Sequence, residues 1–287
     1  MENADQTAFW NADPGRMWVR FQPDMDLFLG GVTRLLLDEA APRPGGRVLD
    51  VGCGAGATSL AFAEAVGPGG RVLGLDVSAP LLARARERAA GLPQLAFAES
   101  DAQVAELEAG RFDLVVSRFG VMFFSDPVAA FRNLGRALAP GGRMVLAAWA
   151  GVEANPFFRD PGRIGVARLG ALPPADPDGP GPMAFRDIDR VAGLLQAAGL
   201  EAVEGRAVDL ALVHPGGIEP VLEMLTGIGG LPRLMRERGG TAEDMAAIQA
   251  ALRDAWADHD GPEGLRLPAR VNLFTARPKT MAPHDPS

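Results

Sequence analysis

Between residues 47 and 150 the hydrophobic positions come in short unbroken runs, and between those runs they recur at the spacing of a helix face. Runs at 47–51, 71–77, 95–98, 112–117 and 143–149 are bounded by turn residues and predict strands. Stretches at 58–66, 78–90 and 126–138 predict helices. Gly67-Pro68-Gly69-Gly70 stops the first. Ser78 is placed to cap the second, with Pro80 in its first turn and Gly91 past its end. Asp126-Pro127 opens the third and Pro140-Gly141-Gly142 breaks it. Strands that are apolar almost throughout belong to a parallel sheet covered on both faces, so the pattern predicts an α/β fold.

The flanks follow other rhythms. Residues 25–40 read as one amphipathic helix through Leu27, Leu29, Val32, Leu35 and Leu36, preceded by an aromatic stretch with Phe9, Trp10, Trp18 and Phe21. Alternation fails at 151–183, which carries Pro156, Pro161, Pro173-Pro174 and the run Asp176-Pro177-Asp178-Gly179-Pro180, and this predicts an irregular insertion. Residues 187–198 read as helix and 200–213 as extended. A second insertion, 215–262, holds helical stretches near 218–228 and 241–258, and 264–277 is extended again. The expected division is an N-terminal helical cap segment (1–45), a core (46–150), the irregular insertion (151–183), a core continuation (184–214), a helical lid insertion (215–262), a final core strand (263–278) and a disordered tail (279–287).

Composition removes several kinds of chemistry. The 287 residues carry a net charge of −8, which argues against nucleic acid as a partner. The single cysteine, Cys53, excludes an intrachain disulfide framework and a zinc cluster. There is no tyrosine, and the only lysine is Lys279, so Schiff-base chemistry is out. No two histidines have metal-ligand spacing, so no metal is expected. The start has no leader pattern, and no run approaches the ~18 apolar residues of a membrane span, so the expected setting is cytoplasmic. Monomer and homodimer both stay open.

The most informative segment is Val48-Leu49-Asp50-Val51-Gly52-Cys53-Gly54-Ala55-Gly56-Ala57-Thr58. A strand runs into glycines and then into a helix whose free N–H groups suit a carboxylate or ribose oxygens. Gly52-x-Gly54-x-x-Ala57 also fits a dinucleotide fingerprint. Asp76 ends the second strand, Asp101 follows the third, and Ser117-Arg118-Phe119-Gly120 ends the fourth. Strand ends of this kind line the crevice where α/β sheets bind ligands.

These motifs together resemble the class I S-adenosylmethionine-dependent methyltransferases, in the style of the ubiquinone/menaquinone C-methyltransferase group and its small-molecule relatives. VLDVGCGAG resembles the family's first motif, GLDVS its ribose-binding acid and SDAQ its adenine-side acid. FDLVVSRFGVMFFSDP and LAPGGRMVLAAW resemble its fourth and fifth strand motifs. The resemblance implies a Rossmann-like, doubly wound, mostly parallel seven-stranded sheet with a helical lid built from insertions. It implies S-adenosylmethionine as cofactor, S-adenosylhomocysteine as product and a small-molecule acceptor. It places the donor's methionine portion on Asp50 and the loop Gly52, Cys53, Gly54 and Gly56, the ribose on Asp76, the adenine by Val77, Asp101 and Ala102, and Ser117 beside the methyl. An N-terminal aromatic, Trp18 or Trp10, would close over the cofactor.

The acceptor pocket is expected above the fourth and fifth strands, with Phe119, Met122, Trp149 and Asn155 as lining candidates. His214 is the weak candidate for a base. Two other functions remain open at this stage: a nicotinamide-dependent oxidoreductase using the same glycine turn, and a protein that binds S-adenosylmethionine without turning it over.

Overall fold

The computed structural model describes residues 3–174 and 176–279. Of the expected tail, all but Lys279 lies outside the described residues. Five strands run parallel: β1 (Arg47–Val51), β2 (Arg71–Asp76), β3 (Leu95–Glu99), β4 (Phe112–Arg118) and β5 (Leu138–Trp149). The long β6 (Leu200–His214) and β8 (Gly264–Pro278) complete the sheet in the order β3-β2-β1-β4-β5-β8-β6. The strand β8 is antiparallel to both neighbours, and a two-residue β7 (Asp260–Gly261) hairpins onto it. The fold is thus a mostly parallel α/β sheet of seven main strands. Helices α5 (Ala57–Val66), α6 (Ala79–Arg88), α7 (Pro127–Ala137) and α9 (Ile188–Ala197) supply the crossovers.

Because β1, β2 and β3 wind to one side and β4 and β5 to the other, the chain reverses direction between β1 and β4. At such a reversal two loops leave the sheet in opposite directions and open a crevice. The C-terminal tips of all five parallel strands lie along that edge.

Several local expectations give way to tertiary packing. The stretch 25–40 is two helices, α3 (Gln22–Phe28) and α4 (Gly30–Ala40), broken at Leu29. The Gly30-Gly31 pair is a poor helix former, and a Cβ on Gly31 would come within 3.3 Å of the Ala211 carbonyl, so α4 lies close on β6. Ahead of them run α1 (Ala4–Asn11) and α2 (Asp13–Arg20). Pro140-Gly141-Gly142 does not end the element before β5. Residues 139–142 bulge out between the pairs Phe112–Leu138 and Leu114–Arg143, and pairing resumes.

The segment expected to be irregular contains the fourteen-residue helix α8 (Pro156–Leu169), with Pro161 inside it. Pro161 removes one helical hydrogen bond. Packing offsets the loss: Asp160 accepts a 2.8 Å bond from the buried indole of Trp256, and Gly165 sits against Leu231 and Leu234. The segment 215–262 contains α10 (Ile218–Met224), an unforeseen α11 (Leu231–Arg238) and α12 (Ala242–Trp256), whose Ile248, Leu252 and Trp256 are buried in the main core.

Candidate functional site at the strand tips

The crevice floor is built from glycine. Gly52, Gly54 and Gly56 have φ of +67°, +54° and +83°, backbone that side-chain-bearing residues rarely adopt. The turn is pinned by Gly52 and Cys53 N–H donating to the Leu75 carbonyl. A Cβ on Gly52 would lie 2.5 Å from Gly120 Cα, so the β1 and β4 loops touch back to back at the reversal. No atom lies within 4 Å of where a Gly54 Cβ would be, and α5 starts with no side-chain cap, leaving its N-terminal N–H groups to a guest. Burial pushes the Cys53 thiol well above its ordinary range, so it fills space between Gly74 and the turn and is no nucleophile.

Three aspartates stand at successive tips, each in a different state. Asp50 is 1% exposed. Its Oδ2 accepts the Ser59 hydroxyl at 2.6 Å, whereas Oδ1 is buried without a partner. Desolvation pushes its pKa up to about 6, against the lowering effects of Ser59 and Arg118. Asp76 accepts from Gly54 N–H at 2.7 Å and Ser78 N–H at 2.9 Å, and burial raises it in spite of both bonds. Asp101 accepts from Asn3 N–H at 2.9 Å and Gln103 N–H at 3.0 Å.

Asn3 belongs to a strap across the tips. Its amide also donates to the Phe123 carbonyl, and α1 carries the chain to Asn11, which donates to the Val77 carbonyl at 2.7 Å and accepts from Ala79 N–H at 2.9 Å. Ser78 sits at the start of α6 but does not cap it. Its hydroxyl donates to the Trp10 carbonyl at 2.8 Å. The Trp10 ring meets Phe123 edge-on at 5.3 Å and Trp18 edge-on at 5.9 Å. Ala102 is buried beneath, its carbonyl accepting from Asn133.

The wall at β4 and β5 is aromatic. Phe119 has φ +66°, which costs a bulky residue on the order of 1–3 kcal/mol. Its N–H donates to the Ala147 carbonyl, and its ring stacks on Trp149 at 4.0 Å and 6°. Phe158 meets Trp149 edge-on, and Phe157 and Phe28 continue the row.

Three further expected site residues are packed into the framework. Ser117 is fully buried; its hydroxyl donates to the Val51 carbonyl and accepts from Gly120 and Val121 N–H. Met122 is core. Asn155 is fully buried, with its amide donating to the carbonyls of Ala150, Gly151 and Arg270 and accepting Arg270 N–H, so it ties β5 to β8. His214 is occupied as well. Nδ1 accepts from Gly216 N–H, so the proton sits on Nε2 and points to Asp24 of α3 at 3.2 Å. No group of His, Cys, Asp and Glu among the described residues could hold a metal ion, and no helix among them is long and apolar enough to cross a membrane.

A polar cluster beside the glycine turn was invisible in sequence. Arg88 of α6 donates to the Ala55 carbonyl and to Asp26 of α3, Gln22 donates to the same carboxylate, and Arg118 donates to the Thr33 hydroxyl of α4 at 2.8 Å. Its members come from four elements, and no spacing rule links them.

A family model described as a methyltransferase domain matches residues 48–142. The chain is 36% identical over 203 residues to the nocamycin O-methyltransferase of Saccharothrix syringae, covering 63% of this chain and 70% of that enzyme. It is 36% identical over 134 residues to the aklanonic acid methyltransferase DauC of Streptomyces sp. strain C5, covering 46% of this chain but 58% of the relative. Among solved structures, the Haemonchus contortus phosphoethanolamine N-methyltransferase 2 in complex with phosphomonomethylethanolamine and S-adenosylhomocysteine superimposes with a TM-score of 0.52 at 18% identity. That match covers 86% of this chain and 52% of the other, a likeness of fold.

Proposed function

Because the chain belongs to the class I S-adenosylmethionine-dependent methyltransferases, we propose that it transfers the donor's methyl by in-line displacement to a small apolar or aromatic acceptor at the tips of β4 and β5. Membership in the family sets aside the nicotinamide alternative. The observation that carries the acceptor class is the row Phe119, Trp149 and Phe158, an aromatic wall beside the crevice floor. The names of the two relatives, nocamycin O-methyltransferase and aklanonic acid methyltransferase, are those of enzymes acting on small organic molecules and support the same class.

The residues present fit the donor. The partnerless Oδ1 of Asp50 and the open space over Gly54 suit its amino-acid end, with Gly52, Cys53 and Gly56 completing the cradle. Each oxygen of Asp76 accepts one bond from this chain and has a second lone pair for a ribose hydroxyl. Val77, Asp101 and Ala102 would face the adenine. When bound, the sulfonium supplies an electrophilic methyl, and S-adenosylhomocysteine is the product. The chain's own work is to hold the partners in line and keep water out, which supplies about 7–11 kcal/mol at its best. The aromatic wall adds about 0.5–2 kcal/mol of attraction for a cation.

No base is assigned. Tyrosine is absent from the chain, and both ring nitrogens of His214 are in use. In this proposal the acceptor arrives with a nucleophilic lone pair available. A cytoplasmic setting belongs to the same proposal, as does the expectation of no nucleic-acid partner, which the net charge of −8 supports.

The test is a panel of phenols, quinols, carboxylic acids, amines and thiols incubated with the donor, with mass detection of an added methyl. Transfer to apolar or aromatic members is the expected outcome. Transfer confined to polar members refutes the acceptor class.

A further inference from the structure

The helix α3 has seven residues, and it is tied on two sides. Residues two apart on a helix point nearly opposite ways, and residues four apart share a side. Asp26 faces the glycine turn, where its carboxylate accepts from Arg88 of α6 at 2.5 Å and from Gln22 at 2.7 Å. Asp24 and Phe28 take the other side. Asp24 meets His214 at the end of β6. The Phe28 ring meets Phe157 at 5.0 Å, at the end of the row that runs through Phe158 to Trp149.

Arg88 joins Asp26 to the turn. The same guanidinium donates through Nη1 to the Ala55 carbonyl at 2.6 Å and through Nη2 to Asp26. The backbone it grips is soft, since Gly54 and Gly56 on either side of Ala55 both have positive φ. The start of the turn is fixed to the sheet by Gly52 and Cys53 N–H on the Leu75 carbonyl. The side chains of Arg88 and Asp26 are 19% and 24% exposed, against 60% and 83% for Arg16 and Asp13, so water screens this pair less. A rigid guanidinium fork bonded to two groups moves them together.

We propose that Arg88 is a positioning residue that relays the seating of the methyl donor in the glycine turn to α3. A donor resting on the turn fixes the peptide at Ala55. Arg88 and Asp26 then hold α3 in place, and Phe28 is set against the wall where the acceptor is read. The donor therefore binds first and completes the acceptor pocket. The proposal rests on the methyl-donor function above and adds an order of binding to it.

Deuterium exchange of peptides spanning residues 22–29, with and without S-adenosylhomocysteine at a saturating level set by calorimetry, tests it. In the unaltered protein the ligand should slow exchange there about fivefold or more, the low end of coupling between sites. In Arg88→Gln, and in Asp26→Ala, which spares the bond to Ala55, that ratio should fall below about twofold at saturation. Arg88→Lys should recover part of it. The ratio separates relay from support, because a residue that only supports α3 would speed exchange equally in both states. If Arg88→Gln does not fold, Asp26→Ala decides. Unaltered protein whose α3 gains no protection from bound S-adenosylhomocysteine overturns the proposal, and so does a folded, saturated variant that keeps the full ratio. Unaltered protein that does not bind S-adenosylhomocysteine at all sinks the methyl-donor function and the proposal with it, a different outcome.

Discussion

Asp50 shows what a single side chain contributes to a site before any ligand arrives. Its pKa of about 6 against an ordinary 3.8 means that the folded chain holds the proton more tightly than the unfolded chain does. Between those two values the folded state binds more protons, so its stability falls as pH rises, and above about 6 the cost is present in full. Asp50→Asn should therefore raise stability at pH 7 by up to about 3 kcal/mol, and by nothing near pH 4, in urea unfolding at the two pH values. The same substitution should weaken S-adenosylhomocysteine binding tenfold or more at pH 7. Equal stability at pH 7 would show that the carboxylate is better solvated than its burial implies. At this scale the sequence placed Asp50, Asp76, Asp101 and the glycine turn at the strand tips, because strand–turn–helix chemistry is local. It did not announce Gly120, whose need for glycine comes from Val51 and Gly52 pressing on it. Nor did it reveal that Ser117 and Asn155 are consumed by backbone groups.

Elements follow local pattern until packing outweighs it. The five parallel strands were legible as apolar runs. The helix α8 was not, because Pro156 and Pro161 argue for a break and packing, in part on α11 and α12, holds it together. Its Asp160 is the main tie, accepting the indole N–H of the fully buried Trp256. Asp160→Ala leaves that N–H without a partner, and the expected loss is about 1–3 kcal/mol, read as a lower urea midpoint. An unchanged midpoint would mean that water or another group replaces the carboxylate. The break at Leu29 has the same origin, since α4 must lie close on β6 while α3 must deliver Asp24 to His214 and Asp26 to Arg88. A single helix could not meet both demands.

Over the whole molecule, the crevice is roofed by segments far apart in sequence. The strap 3–11 crosses the tips of β2, β3 and β4. The N-terminal helices meet the segment 215–262 through Arg20–Glu223 and through Gly227, whose Cβ position lies 2.9 Å from Phe21 and 3.0 Å from Met17. The ion pair is exposed and worth little, so the apolar contact and the strap's hydrogen bonds carry the closure. Asn11→Ala removes two of those bonds and should speed S-adenosylhomocysteine release several-fold in stopped-flow displacement, with little change in melting temperature. An unaltered release rate would mean that the strap does not gate the crevice.

The sequence by itself determined the sheet, the place of the crevice and the acids at its rim. Parallel strands joined by right-handed crossovers put every C-terminal tip on one edge, so residues that follow a strand share a site whatever the rest of the chain does. Only the tertiary structure decided which of those groups are free. The partners that occupy His214 and Asn155 lie 190 and 115 residues away, and Arg118 and Asp50 share one face of the sheet only because β4 pairs with β1. Hydrogen-bond occupancy and burial depend on which distant segments meet, and no local pattern encodes that.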